Sequence, residues 1–110
     1  MDSNKKFLNG TLKTILLALF KENGKMYGYE LCQLTKEKTN NNILLTEGAI
    51  YPALHRLEKE GLIISSKEQV NGRTRKYYSL NTHSMQEIDS QINLLSQFTG
   101  HLRTLLNLTT

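Results

Sequence analysis

The 110-residue sequence predicts a small α+β fold that is mostly helical and ends in a long helix. Apolar residues recur at intervals of three and four positions in several segments, which is the period of an amphipathic helix. Asn71-Gly72 separates two strand-like runs, and this dipeptide is a strong hairpin signal because both residues readily adopt positive φ. The sequence therefore predicts helices packed around one β-hairpin.

Two helices are predicted in the first third of the chain. The first covers residues 11–21 and ends near Gly24, a residue suited to a left-handed helix cap. The second covers residues 28–38 and presents charged side chains outward. The polar residues 40–42 break the pattern. Residues 43–45 are apolar and too few for a helix, so they are predicted as a short strand.

A third helix is predicted to begin at Thr46, because threonine is a favoured N-cap residue. Its inward row consists of Ile50, Leu54 and Leu57. Pro52 lies inside the helix, where it removes one backbone donor and is expected to bend or loosen the first turns. Gly61 follows as the predicted end of the helix.

Residues 62–70 and 73–80 are the predicted strands of the hairpin. The order of elements is then helix, helix, short strand, helix and hairpin, which is the order of a winged helix-turn-helix. In this arrangement residues 46–57 supply the recognition helix and residues 67–76 supply the wing.

The remaining chain predicts one long helix over residues 84–106. Spacings of three and four alternate along Met85, Ile88, Ile92, Leu95, Thr99, Leu102 and Leu106, which forms a heptad seam in which only Thr99 is polar. Phe98 and Leu105 widen this apolar stripe, which is typical of a helix that packs against a partner helix. The predicted dimerisation residues are Met85, Ile88, Ile92, Leu95, Phe98, Leu102 and Leu106. The alternative is that the seam packs on its own domain. The predicted division is a DNA-binding winged helix over residues 1–82 and a dimerisation helix over residues 83–110.

Positive charge is concentrated in the first 80 residues. They contain thirteen Lys and Arg against eight Asp and Glu, whereas residues 81–110 contain one Arg against two acidic residues. This distribution indicates that the first 80 residues contact phosphates and that the last helix has a different role.

Several classes of protein are not expected. No apolar run approaches the roughly 20 residues of a membrane span, and no secretory signal is evident, so we expect a cytoplasmic protein. Cys32 is the single cysteine and is expected to be a small buried apolar residue. The three histidines lack neighbours at metal-ligand spacing, so neither a metal nor a cofactor is predicted. No catalytic motif is present, and we expect no enzyme.

Side chains beside the buried row of the third helix are predicted to read DNA. They are Ala49, Tyr51, Pro52, His55 and Arg56. A helix fits the major groove, where all four base pairs can be distinguished. Two alternatives remain open. Tyr51 can pack against the hairpin, and Arg56 can form an ion pair with Glu60 four residues later.

The wing adds four predicted DNA contacts: Lys67, Arg73, Arg75 and Lys76. Arg73 and Arg75 share one face of the strand, which suits contact with the DNA backbone or a narrow minor groove. A solvated hairpin edge is the alternative. Tyr29, near the free N–H groups that begin the second helix, is predicted to contact a phosphate. Tyr77 and Tyr78 face opposite ways, so one of them is expected to point inward.

Three stretches resemble the PadR family of transcription regulators in their order and spacing. They read YGYEL at residues 27–31, TEGAIYPALHRLEKEGLII at 46–64 and GRTRKYYSL at 72–80. The resemblance covers about residues 8–82. A MarR-like regulator is a nearby alternative, but Tyr51-Pro52 and the third stretch match PadR better. The short C-terminal part resembles the small subfamily, whose members carry a single dimerisation helix.

The resemblance implies a homodimeric repressor whose partners are double-stranded operator DNA and a second copy of the chain. Some relatives also respond to phenolic acids or bind planar hydrophobic drugs at the dimer interface. In the drug-binding relatives a Trp of the last helix stacks on the ligand. This sequence has no Trp, and Phe98 offers a smaller aromatic surface. The rival hypothesis is a winged helix that serves as a protein–protein module, because a fold alone does not determine function.

Overall fold

The computed structural model describes residues 4–108 and confirms a mostly helical winged-helix fold. The helices are α1 (Lys5–Leu8), α2 (Leu12–Asn23), α3 (Gly28–Lys38), α4 (Glu47–Lys59) and α5 (Met85–Leu105). The strands are β1 (Met26–Tyr27), β2 (Ile63–Val70) and β3 (Arg73–Leu80), and a short 3-10 turn (Thr82–Ser84) precedes α5.

The predicted helix termini carry the expected caps. Thr46 Oγ1 accepts a hydrogen bond from the backbone N–H of Ala49 at 3.2 Å, which satisfies one of the donors left free in the first turn of α4. Gly24 ends α2 with a φ of 82°. Pro52 lies inside α4, as the sequence predicts, and the helix continues to Lys59.

The sheet is antiparallel, with β3 between β1 and β2. Asn71 and Gly72 both have positive φ, which confirms the predicted hairpin. The predicted strand at residues 43–45 is wrong. The third strand is β1 instead, in which two residues pair with Tyr77 and Tyr78 of β3. Residues 43–45 have no neighbouring strand to pair with, and Leu45 contributes its side chain to the core.

The core lies between the helices and the inner face of the sheet. Tyr78 is 1% exposed on this inner face, and Tyr77 is on the outer face, so one tyrosine of the pair points inward as predicted. The largest fully buried side chains are Leu16, Leu17, Phe20, Leu31, Ile50, Leu54, Leu57, Ile63, Tyr78 and Ile88. Cys32 is half-buried at the edge of this core, where burial and then the neighbouring Glu47 raise the pKa of its thiol.

The first half of α5 belongs to the core of its own chain. Ile88 is 0% exposed, and Met85 and Ile92 pack against the buried cluster. This corrects the prediction that Ile88 contacts a partner, because no surface of that side chain is left to contact. The heptad pattern indicates a buried stripe without specifying which surface buries it.

The second half of α5 has a different environment. Leu95 is half-buried, while the later apolar residues are exposed on the surface of the single chain. The exposed fractions are 53% for Phe98, 39% for Leu102, 80% for Leu105 and 65% for Leu106. Exposed apolar side chains that are neighbours on one helix form a patch of the kind that marks an interaction surface.

Candidate nucleic-acid interface

From Gly48 to Lys59, the outward side of α4 is exposed and contains no carboxylate. Its exposed positions between residues 48 and 59 are Gly48, Ala49, Pro52, His55, Arg56 and Lys59. The opposite side of the helix is fully buried through Ile50, Leu54 and Leu57. The helical period therefore places four of the predicted DNA contacts on one exposed surface, which we call the α4 strip. These residues are Ala49, Pro52, His55 and Arg56.

The carboxylates of α4 and its C-cap are directed elsewhere. Glu60 accepts a hydrogen bond from Lys13 Nζ of α2 at 2.7 Å, so the alternative pairing of Arg56 with Glu60 is not formed. Glu58 accepts from Ser65 Oγ of β2 at 2.6 Å. Within residues 4–108, no carboxylate lies within ion-pair distance of Arg56.

Tyr51 is half-buried, and its side chain makes contacts within its own chain. Its hydroxyl donates to Glu47 Oε1 at 3.3 Å, and its ring lies against Gly28 at the start of α3. Partial burial raises the pKa of Tyr51, and the negative charge of the nearby Glu47 raises it further. Tyr51 therefore contacts α3 and fixes the position of α4 relative to that helix.

We expect Gly28→Ala to destabilise the fold, although alanine favours a helix by about 1 kcal/mol over glycine. A Cβ at this position would lie 2.6 Å from the Tyr51 hydroxyl oxygen and 2.8 Å from the adjacent ring carbon. Displacing a packed aromatic ring costs about 1–3 kcal/mol, measured as a loss in the free energy of unfolding in urea.

The matched control is Gly48→Ala, where the nearest atom to a new Cβ is 3.9 Å away. This control should lose no stability. Equal free energies of unfolding for the two variants would contradict the assigned packing of Tyr51 on Gly28.

The four wing cations lie on two faces of the hairpin. Lys67 and Lys76 are opposite each other in the register, on the same face as the buried Tyr78. Arg73 and Arg75 are on the outer face. Lys76 Nζ is 3.8 Å from Glu58 of α4, and the Arg75 guanidinium contacts Tyr27. The side chains of Lys67 and Arg73 form no ion pair or hydrogen bond with residues 4–108.

Tyr29 is 51% exposed in the first turn of α3, and its ring stacks near Tyr27 with a centroid distance of 6.3 Å. The Glu30 carboxylate accepts from the backbone N–H of Tyr27 at 3.1 Å. This bond satisfies one of the free donors at the start of α3, and the Tyr29 hydroxyl remains on the surface.

The basic surface extends from α4 to α1, a helix that the sequence pattern did not predict. Lys5 and Lys6 of α1 line an open groove of about 1160 Å³ together with Lys13, Pro52 and Arg56. A helix of four residues is too short to show a period, although the consecutive lysines are visible in the sequence.

Residues 4–108 show no helix that could span a membrane and no cluster of metal ligands. No helix there combines the length and apolar character needed to cross a membrane. In the same range, no three His, Cys, Asp or Glu side chains come together in a group that could hold a metal ion.

Comparison with protein families gives a direct match. The model described as "Transcriptional regulator PadR-like family" matches residues 15–90. The transcriptional regulator Rv3488 of Mycobacterium tuberculosis is 42% identical over 45 residues. That alignment covers 41% of this chain and 42% of the relative, so it spans less than half of the relative's length.

Solved structures agree with the family match. A PadR-like transcriptional regulator from Bacillus cereus is 26% identical, with a TM-score of 0.73 over 92% of this chain and 96% of that one. Bacillus subtilis PadR, solved in complex with operator DNA, is 28% identical, with a TM-score of 0.63 over 74% of this chain and 46% of that one. Because the family model covers well over half of the sequence, this protein belongs to the PadR-like family of transcriptional regulators.

Proposed function

We propose that the chain binds operator DNA as a homodimer and represses transcription, with α4 in the major groove. The observation that carries the proposal is the α4 strip, which is exposed, free of carboxylates and continuous with the lysines of α1. DNA presents a dense row of negative phosphates, so a carboxylate on this strip would oppose binding. The operator complex of Bacillus subtilis PadR supports the same use of the fold.

The residues of the α4 strip have distinct chemistry. Ala49 and Pro52 are apolar and suit contact with thymine methyl groups. His55 and Arg56 carry donors for base edges and phosphates. Tyr29 is placed at the start of α3, where its hydroxyl can donate to a flanking phosphate. Tyr51 contributes by fixing α4 against α3.

The exposed end of α5 supports dimerisation. Leu95, Phe98, Leu102 and Leu106 of the predicted seam lie beyond the part of α5 that packs in the core. A two-fold dimer through this segment presents two recognition helices. The operator is then nearly palindromic, with half-sites about 34–36 Å apart, or one turn of DNA.

A small hydrophobic effector completes the proposal. Phe98 is 53% exposed within the apolar end of α5, so an apolar ligand bound between two such helices would contact it. An effector that binds the DNA-free dimer more tightly than the DNA-bound dimer would release the operator. No catalytic step is part of this function.

The test begins with DNA duplexes that the wild-type protein selects from a random-sequence library. Titration of a labelled selected duplex should show affinity that falls steeply as salt is raised from 50 to 200 mM, as expected for several phosphate contacts. Arg56→Ala should weaken binding by about 1–3 kcal/mol if Arg56 contacts a base.

The control variant is Lys36→Ala, which removes a charge from the exposed side of α3, outside the proposed interface. It should bind the selected duplex like the wild type. Failure to select any sequence, together with a shallow salt dependence, would contradict the proposal and favour the protein–protein module.

A further inference from the structure

The wing contains two anchored cations and two cations without a partner among residues 4–108. Arg75 contacts Tyr27 of β1 and Lys76 approaches Glu58 of α4, whereas the side chains of Lys67 and Arg73 form no ion pair or hydrogen bond with residues 4–108. The charge pattern of the sequence shows four similar cations, but their surroundings in the fold differ. This difference indicates that the four residues do not have the same role.

Arg75 is held by the side chain of Tyr27. Its guanidinium carbon lies 4.6 Å from the centre of the Tyr27 ring, and Nη1 donates a hydrogen bond to the Tyr27 hydroxyl oxygen at 3.0 Å. A planar, weakly hydrated guanidinium is well suited to such stacking. The side chain is also half-buried, so part of its hydration has already been removed.

The acidic residue opposite Arg75 in the sheet forms an ion pair with a different cation. Glu68 is directly opposite Arg75 in the β2–β3 register, but its carboxylate forms an ion pair with Lys25. The hydrogen bond from Lys25 to this carboxylate raises the pKa of Lys25. Lys25 directly precedes β1, so the Lys25–Glu68 and Tyr27–Arg75 contacts both connect β1 to the hairpin.

These contacts attach the wing at the start of α3. Tyr27 is the N-cap of α3, and its ring meets Tyr77 of β3 edge-on at a centroid distance of 5.3 Å. On the other face of the hairpin, Lys76 approaches Glu58 of α4. The hairpin is therefore anchored on its outer face to α3 and on its inner face to α4.

We propose that Arg75 is a positioning residue that holds the wing against Tyr27, and that Lys67 and Arg73 provide the wing's phosphate contacts. This inference rests on the proposed DNA-binding function and deepens it. It gives Arg75 a role different from the direct DNA contact that the sequence predicted. In this position the Tyr27 hydroxyl accepts a hydrogen bond from Arg75 Nη1 and the Tyr27 ring lies against the guanidinium, so fewer of its donors are free for a phosphate.

The first test measures the salt dependence of binding to the selected duplex. Arg73→Ala should reduce the slope of log K against log salt by about 0.9 for each phosphate that is no longer neutralised, with one such phosphate for each protomer. Arg75→Ala should weaken binding by about two- to tenfold at every salt concentration, with the slope unchanged, because the wing must be ordered during binding. Lys36→Ala serves again as the matched charge control.

The second test asks whether Tyr27 and Arg75 act as one unit. Tyr27→Leu should reproduce the weaker binding of Arg75→Ala, and the double variant should be no weaker than either single variant. Tyr27→Phe keeps the ring and removes the hydroxyl, so it should lose only part of the affinity. This milder variant, with Arg75→Ala, decides the question if Tyr27→Leu does not fold.

The third test needs no DNA and separates this inference from the proposed function. Hydrogen exchange of the free protein should become faster at the backbone amides of residues 70–76 in Arg75→Ala and in Tyr27→Phe, and should remain unchanged there in Arg73→Ala. Three results would each overturn the positioning role. They are unchanged exchange in Arg75→Ala, additive losses of affinity in the double variant, and a salt slope that Arg75→Ala reduces as much as Arg73→Ala does. Absence of DNA binding by the wild type would count against the proposed function, and hydrogen exchange would still decide the role of Arg75.

Discussion

Ile88→Ala should lower the free energy of unfolding by about 2–5 kcal/mol, measured by urea denaturation, because a fully buried Ile leaves a cavity when it is truncated. Ile88 is 0% exposed and belongs to the same buried cluster as Leu16, Phe20 and Ile63. The start of α5 is therefore part of the winged-helix core. A loss of this size is a large share of the total stability of a small domain.

Leu105→Ala is the matched control, since Leu105 lies on the same helix and is 80% exposed in the single chain. Its effect on unfolding should be small and should disappear as the protein is diluted, because it would act only through association with a second copy. Equal, concentration-independent losses in the two variants would contradict the division of α5 into a core half and an exposed half.

The paired substitution Phe98→Asp with Leu102→Asp should convert the protein into a folded monomer. Two carboxylates in the proposed apolar interface would have to lose their hydration without gaining partners, which costs several kcal/mol. Both residues are exposed in the single chain, so the fold itself should tolerate the change. Sedimentation should report the mass of one chain, and circular dichroism should report unchanged helix content.

The control for this pair is Asn93→Asp, which adds one negative charge at an exposed polar position of α5. It should leave the sedimenting mass unchanged. A Phe98→Asp, Leu102→Asp protein that remained a dimer would show that association uses a different surface. The monomer should also bind the selected duplex much more weakly, because one recognition helix reads one half-site.

Much of the fold follows from local sequence signals. The N-cap at Thr46, the turn at Asn71-Gly72 and the apolar row of α4 each involve residues that are neighbours along the chain or on one helix. Their physical causes are short-range, namely a capping hydrogen bond, a backbone preference and the helical period. Elements of this kind can be predicted without knowing what packs against them.

The third strand could not be predicted in this way. Residues 26–27 form β1 only because β3 lies beside them, and two residues show no periodicity. Residues 43–45 have the composition of a strand but no neighbouring edge. Strand pairing between distant segments depends on how the helices bring those segments together, and this information is not local.

The candidate interface was predicted as a set of residues, but the partners of those residues were not. Glu60 pairs with Lys13, which is 47 positions away, instead of with Arg56 on its own helix. Arg75 meets Tyr27 across 48 positions, although both residues belong to recognisable motifs. The sequence therefore indicated where cations occur, while the fold determines which of them already have partners.

The ion pairs Lys13–Glu60, Lys21–Asp89 and Lys38–Glu22 connect elements on the surface, and every side chain in them is at least 35% exposed. Exposed pairs of this kind contribute about 0–1 kcal/mol each, and dissolved salt weakens them further. Burial of apolar side chains, which salt does not screen, supplies most of the stability. Salt should therefore weaken the binding of this chain to a polyanion much more than it weakens folding. The folded structure should persist at concentrations of sodium chloride that detach the protein from any polyanion.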